Sequence, residues 1–272
     1  MPENEIRITW YGTASVRITA GDSQLLIDPF FPLPDSKIKL ARNAFDGCSR
    51  ILITHGHFDH IGSIREIVRS DTAVYCTKAP YQSLRRKGVR KENLRLIRAG
   101  SVFSAGDFTI TAYQGSHIKL TLRDGLKAVF CRRARQNRKG LLTKFLKFTS
   151  CREKKEALCY VAEVYGRRIL ILGSLALAEH IRYPAGADLA MFPYQGSEQI
   201  FDIAKRIYEQ LRPQAVLLTH FDDTFPPFSQ EIDTSEIEQY LSRYTKVIKL
   251  RQGDSFTLPN TASISSHTGG QP

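Results

Sequence analysis

The sequence has few cysteines and no long apolar run, and both absences narrow what it can encode. Its five cysteines are odd in number, widely spaced and form no CxxC pair, so a reduced, cytoplasmic setting is the simplest interpretation. No stretch of about 18 consecutive apolar residues occurs, so no membrane span is predicted. The first five residues are acidic and lack an apolar core, so no secretory signal peptide is predicted.

Positive charge is abundant but concentrated in one part of the chain. The 272 residues carry a net charge of +12, and hydrophobic and charged residues make up 42% and 24% of them, which is ordinary for a globular protein. Residues 119–155 alone hold thirteen basic and two acidic side chains, which leaves +11 in that segment. We predict a single domain over residues 1–259, a basic insertion or lid at residues 119–155, and a disordered tail at residues 260–272.

Short apolar or alternating segments bounded by turn residues predict strands along most of the chain. They cover residues 6–10, 15–19, 24–27, 50–54, 73–76, 94–97, 101–103, 108–113, 158–164, 168–172, 188–192, 215–219, 247–250 and 255–258. Helical spacing predicts helices across residues 61–68, 81–86, 198–211 and 235–244. Because the first strands come as hairpins and later ones alternate with helices, we predict an α+β fold, with two mixed sheets packed together and helices outside.

Four candidate metal ligands fall within six residues, directly after an apolar strand. They form the segment His55-Gly56-His57-Phe58-Asp59-His60. Side chains alternate along a strand, so His55 and His57 point to the same side. Asp59 and His60 follow at the start of a helix and can turn toward a second nearby point. Imidazole and carboxylate groups suit Zn²⁺, Mn²⁺ or Fe²⁺, so the segment predicts a site for divalent metal.

The HxHxDH pattern after a buried strand resembles the metallo-β-lactamase superfamily. Three further motifs resemble parts of that family, namely Trp10-Tyr11-Gly12-Thr13-Ala14-Ser15 with Leu26-Ile27-Asp28-Pro29, Gly115-Ser116-His117 and Leu218-Thr219-His220. The residues 187–196, with a late His-Phe-Asp-Asp, look similar to the UlaG-like branch of small-substrate hydrolases and lactonases. The resemblance implies an αββα sandwich with one or two metal ions at one edge of the sheets.

The resemblance also implies a role for each candidate residue. His55, His57 and His117 would hold a first metal, and Asp59, His60 and His220 a second. Asp28 would orient a ligand histidine through a hydrogen bond. Asp59 would also act in catalysis, by orienting water or carrying its proton.

One position departs from the family pattern. Ser174 stands in the segment Ile171-Leu172-Gly173-Ser174-Leu175, where the family has an aspartate that bridges two metals. A hydroxyl is a weaker bridge than a carboxylate, and the loss of a negative charge increases repulsion between two dications. Three alternatives follow: the protein binds one metal only, Asp222 or Asp223 supplies the carboxylate, or Ser174 binds a bridging water or substrate.

These residues favour a metal-dependent hydrolase acting on an ester, lactone, amide or phosphoester. Zinc is the expected ion, with manganese and iron as alternatives, and the basic segment suggests a small anionic substrate. The same segment motivates a metal-dependent nuclease or phosphodiesterase as a second hypothesis. The third is a non-catalytic family member that binds metal or ligand, which Ser174 motivates. Oligomeric state and substrate identity do not follow from the sequence.

Overall fold

The first and last strands of the described residues pair with each other in the first of two seven-stranded sheets. The computed structural model describes residues 5–117, 156–226 and 229–258. The first sheet has the strand order β14-β1-β2-β3-β4-β5-β6. Its strands are β1 (Ile6–Gly12), β2 (Ser15–Ala20), β3 (Ser23–Ile27), β4 (Arg50–Leu52), β5 (Ala73–Cys76), β6 (Leu94–Leu96) and β14 (Ser255–Leu258). Neighbours among β14, β1, β2 and β3 are antiparallel, and β3 to β6 run parallel, so the sheet is mixed.

The second sheet has the strand order β13-β12-β11-β10-β9-β8-β7. Its strands are β7 (Val102–Ala105), β8 (Phe108–Gln114), β9 (Leu158–Val164), β10 (Arg167–Ile171), β11 (Leu189–Pro193), β12 (Ala215–Thr219) and β13 (Lys246–Lys249). Strands β11 and β12 are buried at every residue, which is expected of parallel strands covered on both faces.

The two sheets face each other across one apolar core, to which Ile8 and Ile18 of the first sheet and Ile110, Ile169 and Leu217 of the second all belong. Five α-helices occur within the described ranges, with a short 3-10 helix at Lys91–Asn93. The α-helices are α1 (Phe58–Ile61), α2 (Ile64–Ile67), α3 (Lys78–Arg86), α4 (Ile200–Leu211) and α5 (Ser235–Leu241).

Helices cover the outside of both sheets. Helices α1 to α3 pack in a second apolar cluster with Leu26 and Ile51 of the first sheet, and α4 and α5 bury apolar residues against the second. The predicted α+β sandwich is therefore confirmed. In the structure's described parts, no helix has the length and apolar character needed to cross a membrane.

The predicted helix over residues 61–68 differs in detail from the structure. It is divided into α1 and α2 by Gly62 and Ser63. The predicted face still holds, because Ile61, Ile64 and Ile67 are all buried. The predicted basic insertion at residues 119–155 and the predicted tail at residues 260–272 lie outside the described residues, so both stay predictions.

Candidate metal centre

The six candidate ligands come together from the ends of three strands. His55 follows β4 of the first sheet, and His57, Asp59 and His60 follow it in the loop and in α1. His117 lies three residues beyond β8, and His220 follows β12 directly, both in the second sheet. The centre therefore lies where the same edge of the two sheets meets, and it needs the sandwich to assemble.

His55, His57 and His117 form one group of possible metal ligands. Their ligand nitrogen atoms lie within 4.8 Å of one another. His55 Nε2 is 3.2 Å from His57 Nδ1, and the His117 ring centroid lies 5.0 Å from that of His55 and 4.5 Å from that of His57. Three imidazoles in this arrangement match the protein ligands of a catalytic zinc site, which keeps a fourth position open.

Asp59, His60 and His220 form a second group beside the first, again with ligand atoms within 4.8 Å of one another. Asp59 Oδ2 lies 2.9 Å from His220 Nε2 and 3.5 Å from His60 Nε2. The ring centroids of His55 and His60 are only 3.9 Å apart, so the two groups are direct neighbours. The structure thus brings together all six candidate ligands, and their role as metal ligands stays a prediction.

The ionisation of these side chains suits a divalent cation. Burial and the neighbouring imidazoles of His60, His57 and His117 hold the pKa of His55 well below its usual range, so this histidine is neutral at pH 7. Burial would raise the pKa of Asp59, but the nearby His60 and His220 lower it below its usual value, so this side chain is a carboxylate. Neutral imidazole and ionised carboxylate are the metal-binding forms, so the residues present fit such an ion.

Asp28 and Thr54 fix the orientation of one histidine in each group. Asp28 Oδ2 lies 2.8 Å from His60 Nδ1 and also accepts a hydrogen bond from Thr54 Oγ1. Because the Thr54 hydroxyl donates its only proton to Asp28, it accepts from His55 Nδ1 at 3.0 Å. In both histidines Nδ1 is therefore the nitrogen that faces this support, which leaves Nε2 as the ring atom available to a metal ion in the centre.

The turn between β1 and β2 holds the loop that carries His220. The Thr13 carbonyl oxygen accepts hydrogen bonds from the His220 backbone N–H and from the Trp10 indole N–H, both at 2.8 Å. Thr13, Asp28 and His220 all have positive φ, at 46°, 42° and 59°. Such backbone conformations are costly outside glycine and occur often at functional sites.

The three candidates for the missing bridging carboxylate lie in different surroundings. Ser174 is buried, three residues after β10 and next to Gly173, which lies against Thr54. Both Asp222 carboxylate oxygens accept from the Thr13 N–H at 3.0 Å, and Asp223 Oδ1 accepts from the Ser229 hydroxyl at 2.7 Å. Neither aspartate belongs to the two groups of ligands found in the described residues. Replacement of the bridge by Asp222, Asp223 or Ser174 stays a prediction.

The sequence interpretation missed Thr54 and Thr13. Thr54 stands directly before His55, and this adjacency was the one available signal for it. Thr13 acts through its backbone, and its partner Asp222 is 209 positions away. No local pattern predicts a contact at that separation.

Comparisons with known proteins agree with this arrangement. Residues 7–220 match a family described as the beta-lactamase superfamily domain. A protein from Koribacter versatilis named UPF0173 metal-dependent hydrolase is 26% identical, over 93% of this chain and 98% of its own. A relative of the same name from Chelativorans sp. is 31% identical over 44% of this chain and 52% of that relative. The chain thus spans about half the length of this and other curated relatives that it matches.

A solved structure shares the fold. It is Igni18, described as a novel metallo hydrolase from the archaeon Ignicoccus hospitalis. The TM-score is 0.68, with 94% of this chain and 99% of that chain covered. Sequence identity is 19%, so this likeness speaks for the fold alone.

Proposed function

The chain belongs to the beta-lactamase superfamily, and from that membership we propose that it is a metal-dependent hydrolase. We propose further that it cleaves an ester, lactone or phosphoester bond in a small anionic substrate. Relatives named as metal-dependent hydrolases support the reaction class. The superfamily expected from the HxHxDH motif is confirmed, and the UlaG-like branch stays a prediction.

One observation carries the proposal. His55, His57 and His117 place three imidazoles around one point, and Asp59, His60 and His220 place a carboxylate and two imidazoles beside it. A structural zinc site closes all four positions with protein ligands, whereas a catalytic site leaves a position for water or substrate. Each group offers three protein ligands and therefore has such a position.

The chain's own residues orient the reacting groups. A divalent ion held by His55, His57 and His117 would lower the pKa of water to about 7 and polarise the substrate oxygen. Asp59 presents an ionised carboxylate in the second group, so it can orient the attacking water by accepting a hydrogen bond from it. Asp28 and Thr54 keep the Nε2 atoms of His60 and His55 directed into the centre.

Zinc is the ion we propose, because it accepts three imidazoles with an open fourth position. Manganese and iron are alternatives that the second group, with its carboxylate, also suits. The number of ions per chain depends on Ser174, since a hydroxyl compensates two dications less well than a carboxylate.

The test combines metal analysis with turnover. The protein is purified without chelator, loaded with zinc or manganese, and assayed on chromogenic esters, lactones and phosphodiesters. We expect His57→Ala to reduce turnover to background and to lower metal content by the share that the first group holds. The control is His180→Asn, which changes an exposed histidine and keeps a residue that tolerates the positive φ of 67° at this position. Unchanged turnover in His57→Ala would refute the mechanism.

A metal-dependent nuclease or phosphodiesterase is the second candidate, and the +11 charge of residues 119–155 favours it. Binding to phosphate backbones releases counterions, so affinity for oligonucleotides should then fall steeply with salt. Lack of binding at low salt would remove this candidate. Tight metal binding without turnover on any substrate would instead favour the non-catalytic alternative.

A further inference from the structure

A cavity of about 420 Å³ opens at the carboxyl ends of β5 and β6, separate from the two groups of candidate metal ligands. Apolar side chains, among them Leu96 and Leu158, form part of its wall. Lys78 and Arg98 also line it, and both are exposed residues. A cavity of this size holds a small organic molecule.

The cavity lies beside the first group of metal ligands. Leu158 lines it and donates its backbone N–H at 2.8 Å to the carbonyl oxygen of Thr54, the residue before His55. Gln114 also lines it, three residues before His117. Strand β5, which leads to Lys78, pairs directly with β4, which leads to His55, and such strands lie about 4.8 Å apart. The cavity therefore opens at the same edge of the sheets as the metal centre.

The charge of the cavity favours an anion. Within the described ranges, neither Lys78 nor Arg98 takes part in an ion pair. Among the lining residues that the structure describes, Glu156 is the one acidic residue, and its Oε2 already accepts the Ala79 N–H at 2.7 Å at the start of α3. Two cations thus face the cavity against one carboxylate that is engaged with the backbone.

We propose that this cavity is the subsite for the anionic end of the substrate, with Lys78 and Arg98 binding a phosphate or carboxylate and the apolar wall contacting the adjoining carbon skeleton. Its role in substrate binding rests on the proposed hydrolase function. Guanidinium and ammonium groups bind such anions through charge-assisted hydrogen bonds. The reacting bond would then lie toward His55, His57 and His117.

Calorimetric titration of the metal-loaded protein tests the subsite without turnover. Phenyl phosphate and benzoate are the probes, and benzyl alcohol is the neutral comparison. We expect the double variant Lys78→Met/Arg98→Met to weaken binding of at least one anion by about tenfold and to leave the alcohol unaffected. The matched control is Lys91→Met/Arg95→Met, which removes two exposed cations in and just before β6, one of the two strands that end at the cavity. We expect it to change affinity less than twofold at 0.15 M salt, where distant charges are screened.

Equal anion affinity in wild type and the Lys78/Arg98 double variant would overturn the proposal and place the anions on the metal. Metal content is measured in every variant, so that a loss of anion binding caused by loss of the metal is recognised. A second readout compares an anionic ester with its neutral analogue. We expect the double variant to raise KM for the anionic ester alone, by about tenfold, with kcat within twofold. If no ester is turned over by the wild type, the hydrolase proposal fails, and the titration still decides whether the subsite exists.

Discussion

The Thr54 hydroxyl lies between the Asp28 carboxylate and the His55 ring. It donates to Asp28 Oδ2, and its oxygen lies 3.0 Å from His55 Nδ1. Asp28 Oδ2 also lies 2.8 Å from His60 Nδ1, so one carboxylate is connected to a histidine of each ligand group. The two groups therefore share the support that sets their tautomers, and disturbance of this support should affect metal binding before it affects the fold.

Replacement of Thr54 by valine should weaken metal binding at the first group. Valine keeps the shape but removes the hydroxyl, so His55 Nδ1 loses its acceptor. We expect metal affinity to fall about 10- to 100-fold and stability to fall by about 1–3 kcal/mol. Competitive chelator titration measures the first quantity and denaturant unfolding the second. Thr54→Ser is the control, because it keeps the hydroxyl and should stay within about threefold of wild type. Equal losses in both variants would argue against the tautomer explanation.

Replacement of Asp28 by asparagine should act mainly on the second group. Asparagine tolerates the positive φ of 42° at this position, so the backbone is preserved, while the negative charge facing His60 Nδ1 is lost. We expect metal affinity at this group to fall about 10- to 100-fold, seen as a lower ratio of metal to protein in a protein that still folds. The control Asp22→Asn changes an exposed turn aspartate and should leave the ratio unchanged. Full metal content in Asp28→Asn would exclude this role.

The ligands and their supporting residues differ in how far the sequence predicts them. His55, His57, Asp59 and His60 are predictable because they share one six-residue segment after one strand. His117 and His220 could be proposed because their segments resemble family motifs at strand ends. Thr54 offers only its position before His55, because its role depends on packing: Gly173 approaches so closely that an added Cβ there would lie 2.4 Å from the Thr54 Cβ. That contact joins the two sheets and exists only after they pack.

The fold shows the same limit. Strand β1 has alternating burial, and the alternation in its sequence predicts it directly. The order of the strands cannot be predicted in this way, because β14 pairs with β1 from the other end of the sequence and places Ile6 opposite Leu258. Hydrophobic periodicity predicts which residues are buried, but it carries no information on such distant partners.

Two buried cysteines provide a test of the packing behind the centre. Burial raises the pKa of Cys76 and of Cys159 to about 12. At pH 8 roughly one such thiol in ten thousand is ionised, against about a quarter for an ordinary cysteine, so alkylation should slow by about a thousandfold. Peptide-resolved mass spectrometry after iodoacetamide treatment measures the rates, and the protein in guanidinium is the control. Fast alkylation of either residue in the native protein would contradict the described core.

The same two thiols give stability a dependence on alkaline pH. Their folded pKa values lie above the value of about 8.5 for an unfolded cysteine. The unfolded state therefore ionises first as pH rises, and this contribution to stability is lost between about pH 8.5 and pH 12.

Metal removal should destabilise the wild-type protein more than a variant that lacks one of the ligands. Metal that binds the folded state alone contributes about 2.7–4.1 kcal/mol when present at 100 to 1,000 times its Kd. We therefore expect dialysis against chelator to lower Tm by roughly 5–15 °C, and added zinc to restore it. Scanning calorimetry measures both changes. His57→Ala should have a lower Tm without chelator and respond to chelator less than the wild type, since its first group has already lost a ligand. His180→Asn should respond like the wild type. The wild-type protein must be shown to contain metal before chelation. If its Tm then stays unchanged, the fold alone holds these imidazoles and Asp59 in place. The ion would in that case contribute nothing to assembling the edge where the two sheets meet.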